Sequence, residues 1–154
     1  MNELDRLAEM KRWPLFIRSA AGKNVAWMKA QALRMSAEII FVDYLQLIHE
    51  KSGSDRYTAI TSISIALHEL AQTTGILVVA LAQLNRNAAR AEPSNADLRE
   101  SGQIEQDADA ILLLSADGST YFSCLSKNKE GRVGKVYLDF EKTTQRFTCI
   151  VGDD

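Results

Sequence analysis

The sequence predicts an α/β fold in which a mostly parallel sheet, flanked by helices, is followed by an antiparallel β extension. Two apolar runs, Ile39–Val42 and residues 76–84, are separated by a segment long enough for a helix, which is typical of parallel strands. A third apolar run, residues 110–115, is followed by short β-rich stretches with turn residues between them. This change of pattern indicates that the chain ends in an antiparallel meander.

Helical patterns precede the first strand. Residues 1–13 are charged and helical in pattern, and Pro14 then opens the short apolar segment "PLFI". Residues 26–35, "AWMKAQALRM", are rich in helix formers and predict a second helix. Every residue of the strand Ile39–Val42 is apolar, so we expect it to be buried on both faces of the sheet. A polar loop over residues 49–56 follows.

Residues 57–74 carry two competing patterns. Ile63, Ile65 and Leu67 alternate as they would in a strand. Apolar side chains also recur at helical spacing, and Gly75 stands where a helix C-cap is expected. The helical stripe consists of Ile60, Ile63, Leu67, Leu70 and Ala71. We therefore predict a helix.

Strands account for the rest of the predicted structure. Residues 76–84 predict a second strand that is fully buried, and residues 110–115 predict a third. Residues 120–127, 134–141 and 146–151 are short and β-rich, and they form the predicted meander.

Composition limits the class of protein. At 154 residues, with 46% hydrophobic and 25% charged residues, the chain can bury one ordinary core and is expected to form a single domain. The formal net charge of −2 and the pI of about 5.7 argue against a protein that coats nucleic acid or anionic membrane through bulk charge. A local basic loop is still compatible with these values.

Cysteine, histidine and hydropathy add further limits. Cys124 and Cys149 form no CxxC and are interpreted as reduced thiols, with a disulfide between neighbouring strands as the alternative. His49 and His68 have no nearby Cys or Asp cluster and are interpreted as surface or helix-face residues rather than zinc ligands. No apolar run approaches the roughly 18 residues of a membrane span, and the N-terminus lacks the apolar core of a signal peptide. We expect a cytoplasmic protein without a membrane partner.

The first buried strand ends on an acid, Asp43, in "IIFVDYLQLI". A carboxylate at the carboxyl end of a central parallel strand lies at the mouth of the ligand crevice and can hold Mg²⁺. A nucleotide-hydrolysing enzyme also needs a glycine-rich phosphate loop of the form GxxxxGK[ST]. The Gly-Lys pairs at residues 22–23 and 134–135 both lack the first glycine and the final hydroxyl residue of that pattern.

Three stretches, "IIFVDYLQLI", "VVALAQLNR" and "DLRESGQIEQDADAILLL", resemble in this order motifs of the RecA-like ATPase domain of bacterial replicative DNA helicases of the DnaB type. The resemblance runs from about Pro14 to Ile150, and "DYLQLI" and "RESGQIEQDAD" are its specific parts. It implies a RecA-like fold of the P-loop NTPase type. It also implies a hexameric ring that hydrolyses ATP with Mg²⁺ at subunit interfaces, moves along single-stranded DNA and unwinds duplex DNA.

The resemblance implies catalytic, ATP-binding roles for Asp43 and Gln83. Asp43 matches the Walker B acid and would bind the metal, with a carboxylate that caps the following turn as the alternative. Gln83 matches the glutamine that senses the γ-phosphate and relays its state toward DNA, a role that suits a neutral amide. The alternative is a polar residue that only ends a strand.

The segment "SKNKEGR", residues 126–132, resembles the family segment that reaches into the neighbouring subunit's ATP site with two cations. Lys127 and Lys129 occupy those places, which implies catalytic and nucleotide-binding roles in trans. The second cation is typically arginine in the family, and lysine offers a point charge in place of a planar two-pronged donor. A solvated basic hairpin turn is the alternative.

The segment "DLRESGQIEQ", residues 97–106, resembles the family loop that faces the central channel and binds the phosphates of single-stranded DNA through main-chain N–H groups. Arg99 would supply charge, and Glu100 would orient the loop. Ser101 belongs to the same DNA-binding stretch, and Gly102 would keep the amides accessible. The alternative is a helix N-terminus whose acidic residues solvate the surface.

The phosphate loop and the catalytic glutamate of the family lie before the region matched here. Glu9 and Met10 superficially resemble the pair that carries this glutamate, but no buried strand precedes them, so we do not assign the role. We expect residues 1–154 to be one partial RecA-like domain without a Walker A region, inactive by itself. It would contribute to a helicase with other replication proteins as further partners, or be a catalytically inactive module that docks on a helicase ring or binds DNA. A recombinase-type ATPase is a third option.

Overall fold

The computed structural model describes residues 3–49, 55–84 and 102–150. Within these ranges the helices are α1 (Glu3–Met10), α2 (Val25–Arg34), α3 (Arg56–Thr74) and α4 (Gly102–Asp107). The strands are β1 (Ile39–Val42), β2 (Leu77–Ala80), β3 (Ala110–Asp117), β4 (Thr120–Asn128), β5 (Gly134–Glu141) and β6 (Arg146–Cys149). A 3₁₀ turn, Leu45–Leu47, follows β1. The predicted helices and strands are found in the predicted order, and α4 is an additional helix in the segment that was expected to be a polar stretch.

Local side-chain contacts set the ends of the two longer helices. Asn24 accepts a hydrogen bond of 3.0 Å from the Trp27 N–H at the start of α2, and Asp55 accepts one of 3.0 Å from the Thr58 N–H at the start of α3. The C-cap of α3 is Gly75, whose φ of 71° lies in the left-handed region that favours glycine. The predicted helix and its glycine cap are confirmed, and the competing strand interpretation is wrong.

Two sheets are present in the described part of the chain. β1 and β2 pair in parallel, with Ile39 opposite Leu77 and Val42 opposite Ala80. β3, β4, β5 and β6 form an antiparallel sheet in sequence order, so the predicted meander is confirmed. The prediction of a mostly parallel sheet is confirmed only in part, because β3 pairs with β4 and parallel pairing among the described strands is confined to β1 and β2.

The core lies between the parallel pair and the helices α2 and α3. Ile63 and Leu70 of α3 are the largest fully buried side chains. Val42 of β1 and Leu45 of the 3₁₀ turn belong to the same buried cluster, and Ile40 and Val78 pack against it. The strand ends that follow β1 and β2 are therefore attached to the best-packed part of the molecule.

The prediction that β1 and the segment 76–84 are buried on both faces is wrong. Phe41 is 66% exposed and Leu77 56% exposed, and the regular strand β2 ends at Ala80. Successive side chains of a strand point to opposite faces, so helices on one face cover only alternate residues. Among the described residues no element covers the other face, which carries Ile39, Phe41, Leu77 and Val79, all exposed.

Other predictions concern single residues and hydropathy. Cys124 is half-buried and Cys149 exposed, and both are free thiols. His49 is exposed, and His68 is half-buried on α3, which confirms the surface and helix-face interpretation. In the described ranges no helix combines the length and the apolar character needed to cross a membrane.

Candidate functional site

Asp43 and Gln83 lie at the same edge of the parallel pair. Asp43 directly follows β1 and Gln83 lies beyond β2, and the register that places Val42 opposite Ala80 brings the two strand ends level. Both side chains are exposed, and the peptide bond between Asp43 and Tyr44 is cis. Carboxyl ends of parallel strands open onto the crevice where α/β sheets bind ligands. We call this edge, with Asp43 and Gln83, the candidate edge.

Main-chain hydrogen bonds continue beyond the regular strands. The Leu81 N–H donates to the Val42 carbonyl, and the Leu45 N–H donates to the Leu81 carbonyl, each at 2.9 Å. The segment that carries Asp43 is therefore bonded on both sides to the chain that leads out of β2. This pairing fixes the backbone of the exposed acid although its side chain is open to solvent.

Gln46 is a residue that sequence reasoning missed. Its Nε2 donates to the Gln83 carbonyl and its Oε1 accepts from the Gln83 N–H, both at 3.4 Å. One side-chain amide thus makes the two contacts that a neighbouring strand would make with the main chain of Gln83. The available sequence signal was a polar residue in an apolar turn whose Leu45 and Ile48 are buried.

The candidate edge has the chemistry to share a nucleotide-bound Mg²⁺. Asp43 supplies one carboxylate, and within the described residues no three His, Cys, Asp or Glu side chains form a group that could enclose a metal. Mg²⁺ suits such a place, since it is usually bound through one or two carboxylates together with water and phosphate oxygens. Gln83 adds an amide that can donate to phosphate or accept from water.

Lys127 and Lys129 lie on the antiparallel sheet, at the end of β4 and just after it. The Nζ of Lys127 donates to the main-chain carbonyls of Glu105 and, at 3.3 Å, of Gln106 near the C-terminus of α4. The Nζ of Lys129 forms an ion pair of 2.7 Å with the Oδ1 of Asp109. Within one chain both ammonium groups therefore bind the end of α4 and the residues that follow it.

The ion pair changes the titration of Asp109. The hydrogen bond from Lys129, supported by the positive charge of the same lysine, lowers the pKa of Asp109 below its ordinary value of 3.8. The side chain of Lys129 is 43% exposed and that of Asp109 63%, so solvent screens the pair. The carboxylate is charged at neutral pH and remains available to the lysine.

The family whose description is "DnaB-like helicase C terminal domain" matches residues 1–149. The chain belongs to this family. The resemblance found in the motifs is thereby confirmed over nearly the whole chain.

The curated relatives of this DnaB-like chain include the replicative DNA helicase DnaB of Treponema pallidum, which is 37% identical over 148 residues. That match covers 92% of this chain and 34% of the relative. The DnaB helicase of Haemophilus influenzae is 37% identical over 151 residues, covering 86% of this chain and 32% of the relative. The chain thus spans about a third of the length of these curated relatives.

Two solved structures share the fold. A chain described as an ATPase domain superimposes with a TM-score of 0.89 at 29% identity, over 96% of this chain and 59% of that one. A DnaB-like replicative helicase, solved in a study of its interactions with primase, gives a TM-score of 0.82 at 30% identity, over 90% of this chain and 38% of that one. The α/β architecture is therefore that of DnaB ATPase domains.

The DNA-binding stretch expected for a DnaB-like chain is only partly within the described structure. Arg99, Glu100 and Ser101 lie outside the described residues. Gly102 is the first residue of α4 and is exposed, and a Cβ placed there would meet no atom within 4 Å. Nothing in the described part of the chain therefore requires glycine at this position for lack of space.

Proposed function

We propose that this chain is part of an ATP-dependent replicative DNA helicase that translocates on single-stranded DNA and unwinds duplex DNA. The observation that carries the proposal is the placement of Asp43 and Gln83 at one edge of a parallel strand pair in a DnaB-like chain. A carboxylate and a neutral amide at that edge match the two tasks of ATP hydrolysis that a strand end can serve, metal binding and γ-phosphate sensing.

The whole chain forms one partial RecA-like domain over residues 1–154, and β1 and β2 belong to a mostly parallel sheet of the P-loop NTPase type. Two facts support this. The outward residues Phe41 and Leu77 are exposed, as expected for strands whose second face is covered by further polypeptide. The match to the solved ATPase domain also covers only 59% of that chain, so such domains contain additional structure.

ATP and Mg²⁺ are the cofactors of the complete protein. Asp43 holds the metal directly or through water, and Gln83, kept in place by Gln46, contacts the γ-phosphate. The phosphate-loop pattern is absent from these 154 residues. Residues 1–154 alone therefore hydrolyse ATP at no meaningful rate, because a metal cannot replace the backbone amides and lysine that bind the β- and γ-phosphates.

Lys127 and Lys129 serve the ATP site of a neighbouring subunit in a homo-oligomer, a hexameric ring. Their attachment to the end of α4 in their own chain supports this, since it holds them on the antiparallel sheet, whereas Asp43 and Gln83 follow the parallel pair. Cations supplied in trans stabilise the charge that develops on the transferred phosphoryl group. Other replication proteins are further partners of the ring.

Arg99, Glu100, Ser101 and Gly102 form the loop that binds single-stranded DNA in the channel of the ring. Main-chain N–H groups and one arginine contact phosphates, so binding is independent of sequence and weakens with salt. A chain of net charge −2 offers one such loop, and useful affinity therefore requires several subunits aligned in a ring.

A chimaeric helicase tests this function. The matched part of this chain, 92% of its length, replaces the aligned segment of the Treponema pallidum helicase, so that the relative supplies the remaining length. We expect the chimaera to assemble and to hydrolyse ATP in a DNA-stimulated reaction. Asp43→Ala should abolish turnover, and Gln83→Ala should reduce its stimulation by DNA.

Asp117→Ala is the matched control, because Asp117 is an exposed acid at the end of β3, on the antiparallel sheet rather than the parallel pair. Its turnover should equal that of the unsubstituted chimaera. An assembled chimaera whose turnover is unchanged by Asp43→Ala would contradict the proposed role of the candidate edge.

A catalytically inactive RecA-like module that docks on a helicase ring or binds DNA is the second candidate function. Lys129, in the place of the arginine typical of the family, favours it, because a point charge replaces a two-pronged phosphate donor. The genomic DNA before the Met1 codon distinguishes the two, because only a helicase subunit is expected to continue there into a reading frame with GxxxxGK[ST].

A further inference from the structure

The segment between α4 and β3 contacts Lys129 at two points. The main-chain N–H of Lys129 donates to the Asp109 carbonyl at 2.9 Å, and its Nζ pairs with the Asp109 carboxylate at 2.7 Å. Asp109 thus binds the same residue through both its backbone and its side chain. Two contacts of this kind restrict the direction of the lysine as well as its position.

Lys127 is oriented by the same region. Its ammonium group donates to carbonyls of Glu105 and Gln106, which lie in the last turn of α4. A cation at this end is also favoured by the helix dipole. The two lysines therefore share one support, made by the end of α4 and Asp109.

This support is itself attached to the core. The hydroxyl of Ser64, a residue of α3 that is only 8% exposed, donates to the Oδ2 of Asp107 at 2.7 Å. Gln103 donates to the other oxygen of the same carboxylate at 2.8 Å. Because α3 carries the fully buried Ile63 and Leu70, α4 is fixed relative to the best-packed helix of the molecule.

An ion pair this exposed contributes little to the stability of the fold. Its main effect is therefore on the orientation of the Lys129 side chain. We propose that Asp109 is a positioning residue that orients Lys129, beside Lys127, toward the neighbouring subunit's ATP. The inference rests on the proposed function of the lysines in trans. Asp109 touches no nucleotide and acts only through Lys129.

Direct observation of the carboxyl group tests the contact in the 154-residue chain. The pKa of the Asp109 carboxyl should lie below 3.8 in a ¹³C NMR titration, and Lys129→Ala should raise it toward 3.8. Lys142→Ala, which removes an exposed lysine in the turn between β5 and β6, should leave the midpoint unchanged. A midpoint that is insensitive to Lys129→Ala would overturn the inference.

Steady-state kinetics of the assembled chimaera test the role. Asp109→Ala should lower kcat about tenfold with the KM for ATP within about twofold, because a misplaced group loses interactions made in the transition state. Asp109→Glu should restore part of the rate. In a Lys129→Ala background Asp109→Ala should have no further effect, since the two residues act as one unit. Asp117→Ala is the control.

The outcomes separate the inference from the function on which it rests. A full additional loss of kcat in the double variant would overturn the inference. So would an Asp109→Ala variant with unchanged kcat when Lys129→Ala lowers kcat. In both cases the in-trans role of Lys129 would stand. A Lys129→Ala chimaera with unchanged kcat would overturn that role and the inference together.

Discussion

At the scale of single residues, chemistry depends on which groups are free to meet a ligand. Asp43 and Gln83 are exposed at the candidate edge, whereas Lys127 and Lys129 are bound within their own chain. An ammonium group has three N–H donors, so a lysine that is held by a carbonyl of α4 or by Asp109 can still donate to a neighbour's phosphate oxygens. The direction in which each cation is held then decides how well it reaches them.

Substitutions of the two lysines in the chimaera should have different effects on kcat. Lys127→Ala should lower kcat, because a cation that faces the γ-phosphate is lost. Lys129→Arg should leave kcat equal or raise it, because a guanidinium can bind phosphate through two parallel hydrogen bonds. Both effects on kcat should appear only in the assembled protein, because the two cations serve the neighbouring subunit's site. The same dependence on Lys127 in a monomeric form would contradict an in-trans role.

The N-cap of α3 gives a residue-scale prediction about pH. Hydrogen bonds from the main-chain N–H and then the hydroxyl of Thr58 lower the pKa of Asp55 below 3.8. A carboxyl whose folded pKa is depressed stabilises the fold fully above its unfolded pKa, and this contribution is lost as pH falls through the folded value. Asp55→Ala should therefore lower Tm by a few degrees at pH 7 and by less near pH 2.

Asp55→Asn is the control for the cap, because an amide oxygen can still accept from the Thr58 N–H. Thermal unfolding followed by circular dichroism from pH 2 to pH 7 would compare the three proteins. An alanine variant whose Tm deficit stays constant over this range would show that the charge of Asp55 is irrelevant to α3.

At the scale of elements, α3 is the helix on which the other contacts depend. It packs against α2, β2 and α4, and it carries Ser64, to which α4 is attached. The sequence of α3 admitted a strand in which Ile63, Ile65 and Leu67 would share one face. In the helix Ile63 is 1% exposed and Ile65 39% exposed, so the two isoleucines have different surroundings.

Alanine substitutions of this matched pair should differ in cost. Ile63→Ala should lower the free energy of unfolding by about 2–5 kcal/mol, since it removes buried methylene groups and leaves a cavity. Ile65→Ala should cost about 1 kcal/mol or less, because the side chain is partly solvated already. Urea unfolding would measure both. Equal losses would contradict the placement of Ile65 on the outer side of the helix.

At the scale of the whole molecule, the largest departure from expectation is the open face of the parallel pair. Ile39, Phe41, Leu77 and Val79 are apolar but exposed, and nothing within the described residues covers them. An exposed apolar face of this kind is typical of an interaction surface, and in the proposed helicase further polypeptide would cover it. The match covers 34% of the Treponema pallidum relative, so most of that helicase lies beyond the matched region.

The proposed DNA binding is also a prediction about the assembled molecule. We expect the chimaeric ring to bind single-stranded DNA more tightly at low than at moderate salt, with no preference for sequence. Arg99→Ala and Gly102→Val should both weaken binding. A Cβ at Gly102 meets no described atom of the chain within 4 Å, so a loss there would report on contact with DNA rather than on packing. Unchanged affinity in both variants would remove this loop from the DNA path.

The sequence by itself determined the elements and the family. Helical spacing and a glycine cap located α3, turn residues separated the strands of the meander, and "DYLQLI" with "RESGQIEQDAD" indicated the DnaB-like family. These signals are local, because capping, turn formation and side-chain periodicity depend on residues a few positions apart. The placement of an acid and an amide after two parallel strands followed from the same local patterns.

Only the tertiary structure decided which face of β1 is covered and which side chains meet. Gln46 contacts Gln83 across 37 residues, Ser64 meets Asp107 across 43, and Lys129 pairs with Asp109 across 20. The sequence of an apolar strand does not show how many layers will cover it, and the sequence of a motif does not show which residue its lysine will contact. Such contacts depend on how separate elements pack in three dimensions, and periodicity along one segment contains no information about that packing.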